Sequence, residues 1–139
     1  MTDYKVSVGQ EARVSRIITA DDVEAFAQLS LDRNPVHFDD AFAAGTLFGR
    51  RIAHGMLGVA LVSGALTELM GAGNIWISSS IKFEKPIFIN DSLTCVLIVS
   101  AVDRRGQADI SVRVENDRGE VIISGNVTSM RFVARMHPL

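Results

Sequence analysis

The chain carries one cysteine, Cys95, among its 139 residues. A lone thiol excludes an internal disulfide framework and any metal site built from several cysteines, and it points to a reducing, cytoplasmic setting. An excess of one charge is also missing. Fourteen basic residues stand against 16 acidic ones, for a formal net charge of −2, which leaves no electrostatic footprint for nucleic acid or an anionic membrane. Long apolar runs are absent as well. The longest, Met56 to Met70, contains Ser63, Thr67 and Glu68, and is too short and too polar to span a bilayer. The opening residues, Met1 to Ser7, lack the apolar stretch of a secretory signal. No repeat, low-complexity tract or linker divides the sequence, so residues 1–139 are expected to form one soluble domain.

What is present is enough to build a core: 47% of the residues are hydrophobic. Val6 to Ile18 reads as an extended opening segment interrupted by Gly9. Thr19 offers an N-cap hydroxyl, and Asp21, Asp22 and Glu24 place carboxylates at the positive end of a helix. Val23, Phe26 and Ala27 repeat at helical spacing, which predicts a short amphipathic helix to about Leu29. Asn34-Pro35 stops it, because proline disfavours the α conformation in its predecessor. A second short helix is expected from Asp39 to Ala44, closed by Gly45. His54 to Gly71 is apolar on nearly every face, as expected of a helix buried all round.

From Asn74 onward the pattern changes to strands: Ile75 to Phe83, Ser92 to Val102, a strand carrying Ile110, Val112 and Val114, and a return from Val121 to Phe132. In Ser92 to Val102, Cys95, Leu97 and Val99 occupy one face and Val96 and Ile98 the other, so burial on both sides is expected. A fully apolar helix followed by a long antiparallel meander needs a sheet curled around it. The expected fold is α+β: a single hot-dog fold, with an antiparallel sheet wrapped around a buried central helix.

Three features bear on chemistry. Asp32 and His37 flank the helix-breaking Asn34-Pro35, so a bent loop can bring a carboxylate and an imidazole to one water, where they can share acid and base roles near neutral pH. An ordinary turn, with His37 incidental to it, explains the same spacing. Asn34 can bond either side chain or fix the bend. Gly55 follows His54 at the start of the apolar helix, where unpaired backbone N–H groups can stabilise an enolate oxygen; a tight helix entry with His54 as a terminal polar residue is the plainer account. Ser63, inside that helix, either bonds the carbonyl four residues back or faces a pocket. Arg50-Arg51 and Lys82/Lys85 can contact phosphates of a carrier group but read more simply as solvated surface, Glu68 as a solvent-facing charge, Trp76 as core or interface, and Cys95 as a small buried apolar residue. No phosphate loop or zinc-ligand spacing is found.

The segment Phe26 to His37, ending in Asp32-Arg33-Asn34-Pro35-Val36-His37 and followed by Ala43, resembles the hydratase 2 motif of MaoC-like proteins and (R)-specific enoyl-CoA hydratases. Arg50 to Leu57 resembles the opening of their central helix, and Ser79 to Asp91 their next strand and turn. The similarity runs from about residue 15 to residue 132. Leu31 departs from it, standing where the family commonly has glycine or an acid. The resemblance implies reversible hydration of trans-2-enoyl-CoA to an (R)-3-hydroxyacyl thioester. It implies Asp32 and His37 as the catalytic pair on one water, the Gly55 N–H as oxyanion donor, and Asn34, Ser63 and Leu66 as substrate-binding residues. No metal or redox cofactor is implied. The expected partners are an acyl-CoA or acyl carrier protein thioester and a second copy of the chain, whose sheet would continue the first. Dehydration of 3-hydroxyacyl groups on acyl carrier protein and acyl-thioester hydrolysis are alternatives, and a non-catalytic acyl-CoA-binding subunit is the alternative from another class.

Overall fold

The computed structural model describes residues 5–132; the reading of residues 1–4 as free of a secretory signal lies outside them. Gly9, at φ +88°, turns the chain early, so the first strand, β1, spans Glu11–Ile17 rather than the whole of Val6 to Ile18. Thr19 then caps helix α1, Ala20–Ser30, through a reciprocal box. Its hydroxyl accepts from the Asp22 N–H, and the Asp22 carboxylate accepts from the Thr19 N–H. A 3₁₀ turn at Pro35–His37 and helix α2, Asp40–Ala44, follow. Strand β2 is Ile52–Ala53, and helix α3 runs Gly55–Met70. The remaining strands are β3 Asn74–Phe83, β4 Ile87–Phe88, β5 Ser92–Val102, β6 Ala108–Asn116 and β7 Val121–Arg131.

Five strands form one antiparallel sheet in the order β1-β5-β6-β7-β3, and β2 pairs with β4 in a separate two-residue ladder. This is the expected hot-dog architecture. The register is set by alternation. Leu93, Cys95, Leu97 and Val99 of β5 lie beside Ala108, Ile110, Val112 and Val114 of β6 on one buried face. Helix α3 lies across that face and contributes Val62, Ala65, Leu66, Leu69 and Met70 to the same core. Gly58 lets it come close: a Cβ there would stand 2.6 Å from Ile123 Cδ1 on β7. No helix among the described residues is long and apolar enough to cross a membrane.

Two expectations need correction for the single chain. Helix α3 is not buried all round. It leaves Met56, Ala60, Ser63, Gly64, Thr67 and Glu68 exposed, because a sheet lies against one side of a helix and the short helices α1 and α2 do not close over the other. Likewise only one face of β5 is buried; Val96 is half-buried and Ile98 exposed, since no second layer covers the outer face.

The β3–β7 pairing rests on Gly125, whose missing side chain leaves space for Ile81 Cα and the Ser80 carbonyl oxygen on the neighbouring strand. Gly125→Ala is expected to cost about 3 kcal/mol by overpacking against backbone that cannot rotate away. A urea unfolding series checks this, and Gly119→Ala, at a hairpin position with open space around it, separates the clash from a general glycine effect.

Candidate active site

The C-terminal end of α1 aims the first acid. Leu31 closes the helix at φ 65°, and its N–H bonds the Ala27 carbonyl at 2.8 Å. A left-handed leucine costs roughly 1–2 kcal/mol, a strain that glycine would not carry. Beyond it the side chains hold the bend. Ser30 Oγ accepts from the Asp32 N–H at 3.1 Å, Asp32 Oδ1 accepts from the Asn34 N–H at 3.1 Å, and Asn34 Oδ1 accepts from the Val36 N–H at 3.2 Å. Asn34 therefore caps the 3₁₀ turn, with Pro35 at its first position.

That turn carries His37 inward, where it is buried. Its Nδ1 lies 2.7 Å from the Ile52 carbonyl of β2. A carbonyl only accepts, so Nδ1 holds the proton and Nε2 keeps a free lone pair. Arg51 returns the contact by donating from Nε to the His37 carbonyl at 2.8 Å. Burial pushes the His37 pKa below the ordinary histidine value. The Ile52 bond opposes that shift, His54 adds to it, and Asp32 opposes it.

His54 joins the acid to the imidazole. It is the N-cap of α3 and is 3% exposed. Its ring stands 3.8 Å from the His37 ring, tilted by 33°, and 4.7 Å from the Phe26 ring. Its Nε2 donates to the Asp32 backbone carbonyl at 3.0 Å and lies 3.9 Å from Asp32 Oδ2. The Asp32 carboxylate is half-exposed, so the buried imidazole pair meets solvent at Asp32.

Gly55 follows His54 at the first position of α3, where the backbone N–H has no partner within the helix. The Phe83 ring packs on it so closely that a Cβ would meet ring carbons at 2.8 Å. A cavity of about 390 Å³ opens here, lined by Phe48, Ile52, Gly55, Phe83, Pro86 and Ile87 among others. A second, of about 380 Å³, lies between α1 and α3 against Phe26, Leu29, Leu57, Ala60 and Gly64. Asp32 and His37 lie off the walls of both.

The fold thus brings Asp32 and His37 together through His54 and sets Gly55 beside them in the chain. It does not bring Ser63 and Leu66 to either cavity. Ser63 sits on the exposed face of α3, and Leu66 is fully buried in the core. Two residues of the cluster do not show themselves in the sequence: Arg51 reads there as solvated surface, and His54 as a terminal polar residue. A histidine placed directly before an apolar helix was the available signal for burial. The other basic residues are engaged. Arg50 stacks 3.9 Å from the Phe88 ring centroid, Lys82 pairs with Glu84, and Lys85 pairs with Glu120. Burial raises the Cys95 thiol to about 12, which leaves it unreactive.

Asp32, His37 and His54 each present a metal-ligating atom, all within 4.8 Å of one another. One nitrogen of each ring, however, is already bonded to a carbonyl, and the remaining nitrogen of His54 is completely shielded. The geometry fits proton transfer better than ligation.

A family model described as a MaoC like domain matches residues 5–121. An (R)-specific enoyl-CoA hydratase of Aeromonas caviae is 40% identical, over 90% of this chain and 95% of the relative. One from Rhodospirillum rubrum is 35% identical over 90% and 88%. Among solved structures, the (R)-hydratase from A. caviae involved in PHA biosynthesis superposes with a TM-score of 0.87, covering 91% of this chain and 98% of that one, at 39% identity. An unliganded R-hydratase from Pseudomonas aeruginosa gives 0.85, over 96% and 92%, at 34% identity.

The buried His37 makes folding pH-dependent. With its folded pKa held below the ordinary value, the unfolded chain takes up the proton first as pH falls. Its contribution to stability is present above about pH 6.5 and is lost on acidification through that value toward the folded pKa. Urea midpoints taken between about pH 7.5 and about pH 5 are expected to fall for the wild type and to fall less for His37→Gln.

Proposed function

The chain belongs to the MaoC-like domain family, and from that premise we propose that it hydrates trans-2-enoyl-CoA reversibly to (R)-3-hydroxyacyl-CoA, with Asp32 and His37 as the catalytic pair. The observation that carries the assignment is the unprotonated Nε2 of the buried His37, in a cluster whose polar atoms, the Asp32 carboxylate included, lie within 4.8 Å of one another. In the forward direction His37 Nε2 takes a proton from water while the Asp32 carboxylate accepts from its other hydrogen. The water oxygen bonds to the β-carbon, and the π electrons of the double bond move into an enolate whose oxygen is met by the Gly55 N–H. The imidazolium then returns its proton to the α-carbon, so the product has gained one water and the site is restored. The dehydratase reaction is the same path reversed.

The thioester reaches Gly55 through the cavity bounded by Phe48 and Phe83, whose apolar walls suit a pantetheine or acyl chain. Nearly full-length similarity to two enoyl-CoA hydratases supports CoA as carrier. The matched dehydratases of acyl carrier protein substrates are less similar: that of Arabidopsis thaliana is 34% identical over 63% of this chain, and that of Solanum lycopersicum 26% identical over 96%. A cytoplasmic setting fits this chemistry and the lone buried Cys95.

The working unit is a homodimer. Among the described residues β3 pairs only with β7, so a ten-residue strand leaves its other edge open, with Ile75, Ile77 and Phe83 exposed along it. Open edges of that length and apolarity pair with another strand, and a second copy of β3 would continue the sheet and cover these residues.

Two measurements follow. Asp32→Asn and His37→Ala, each folded by circular dichroism, are expected to lower kcat for enoyl-CoA by on the order of 10²–10⁴-fold, read as the loss of enoyl-thioester ultraviolet absorbance; full turnover in both overturns the site assignment. Light scattering is expected to give twice the 15.1 kDa chain mass, and Ile77→Lys on the open edge is expected to shift the protein toward monomer.

A further inference from the structure

We propose that His54 is a positioning residue for this site: its Nε2–H holds Asp32 by the backbone carbonyl, and its ring, stacked on His37, fixes the plane of the base. The proposal deepens the hydratase reading and rests on it.

The argument starts from what the fold alone would place there. His54 is 3% exposed and packed among the rings of Phe26, Phe38 and His37. Its Nδ1 is completely shielded and has no hydrogen-bond partner. An apolar ring would fill the same space without stranding a buried polar atom. The imidazole is therefore explained by its other nitrogen, which donates to the Asp32 carbonyl at 3.0 Å. That bond matters because Asp32 has few other restraints. Its side chain is half-exposed, it follows the left-handed Leu31, and its remaining bonds run to near neighbours in its own loop. Among the described residues, His54 is the one that hydrogen-bonds the acid at the head of α3, the element that also presents the Gly55 N–H one residue further on.

The stack does the same for the base. Nδ1 of His37 is anchored to Ile52, and the His54 ring 3.8 Å away walls one side of the imidazole, opposing the ring rotation that would carry Nδ1 off the carbonyl. The charged and titratable groups facing His37 are Asp32 from the loop, His54 from α3 and Arg51, which bonds the His37 carbonyl. Arg33 lies further off, over the Phe38 ring and paired with Glu24. Of these, His54 opposes the charging of the His37 ring, together with burial.

Two substitutions separate the functions of the ring. His54→Phe keeps the stack and removes the donor; His54→Gln keeps a donor and removes the ring. In folded His54→Phe, kcat for enoyl-CoA is expected to fall about 10- to 100-fold, as for a misplaced catalytic group, with KM changed less than about threefold. His54→Gln is expected to recover part of that loss. Both lack the imidazole that opposes charging of His37, so the His37 titration followed by NMR, with no substrate present, is expected to move to higher pH, and the acidic limb of kcat/KM with it. Unchanged kcat per folded molecule together with an unshifted His37 titration in either folded variant overturns the proposal, whatever the melting temperature does. A wild-type protein that turns over no enoyl thioester overturns the hydratase reading instead, and the substrate-free titration then decides His54 alone.

Discussion

The 2.7 Å hydrogen bond from His37 Nδ1 to the Ile52 carbonyl ties together parts of the chain that local sequence does not bring into contact. On one side is the turn that follows α1; on the other is β2, a two-residue strand that pairs with β4. The bond fixes the tautomer and so decides which nitrogen faces the reaction. Arg51 reverses the direction of donation by bonding the His37 carbonyl, so the residue is clamped through both side chain and backbone. Because β2 leads directly into α3, the same clamp places the start of that helix beside the acid–base pair. Removing it would release His37 from the helix end that carries Gly55.

The second constraint is the seat of α3 on the sheet. Gly58 brings the helix to within van der Waals reach of β7, and Leu66, Leu69 and Met70 lock its far end into the core. The sheet therefore sets the height of the helix, and the helix sets the height of His54 and Gly55. Polar groups grouped under Phe26 and Phe38 sit where water does not screen them, so each hydrogen bond there is stronger and each unmet one more costly than at the surface.

Much of this was legible in order along the chain. The Thr19 box and the start of α3 at His54-Gly55 are local events, set by residues within four positions of one another, whereas α1 stops at the left-handed Leu31, four residues ahead of the Pro35 expected to stop it. The meander is local in the same sense, since hairpins join neighbours. What the chain order hides is burial by distant partners. His54 and Arg51 look like ordinary polar residues until β2, α1 and the 3₁₀ turn are folded together, because their bonds span 22 and 14 positions. The exposed side of α3 was hidden for the opposite reason: an apolar helix reads as buried all round whether its cover comes from its own chain or from another copy. The apolar outer edge of β3 belongs to the same class of surface.

Burial also divides the labour between the two candidate catalytic groups. His37 lies inside, where desolvation disfavours its charged form and keeps its lone pair available. The Asp32 side chain lies half in water, at the mouth of the same cluster. On the proposed mechanism, a proton accepted by the buried ring is held in a less stable place than the solution it came from, which favours its prompt return to the α-carbon of the substrate. Such an arrangement works in either direction of a reversible hydration, because the ring starts and ends each cycle neutral. It also explains why the acid needs a tether and the base needs a wall. The exposed carboxylate has too much freedom to be aimed by its loop alone, and the buried imidazole has one remaining rotation to lose; a single stacked ring at the head of α3 restricts both.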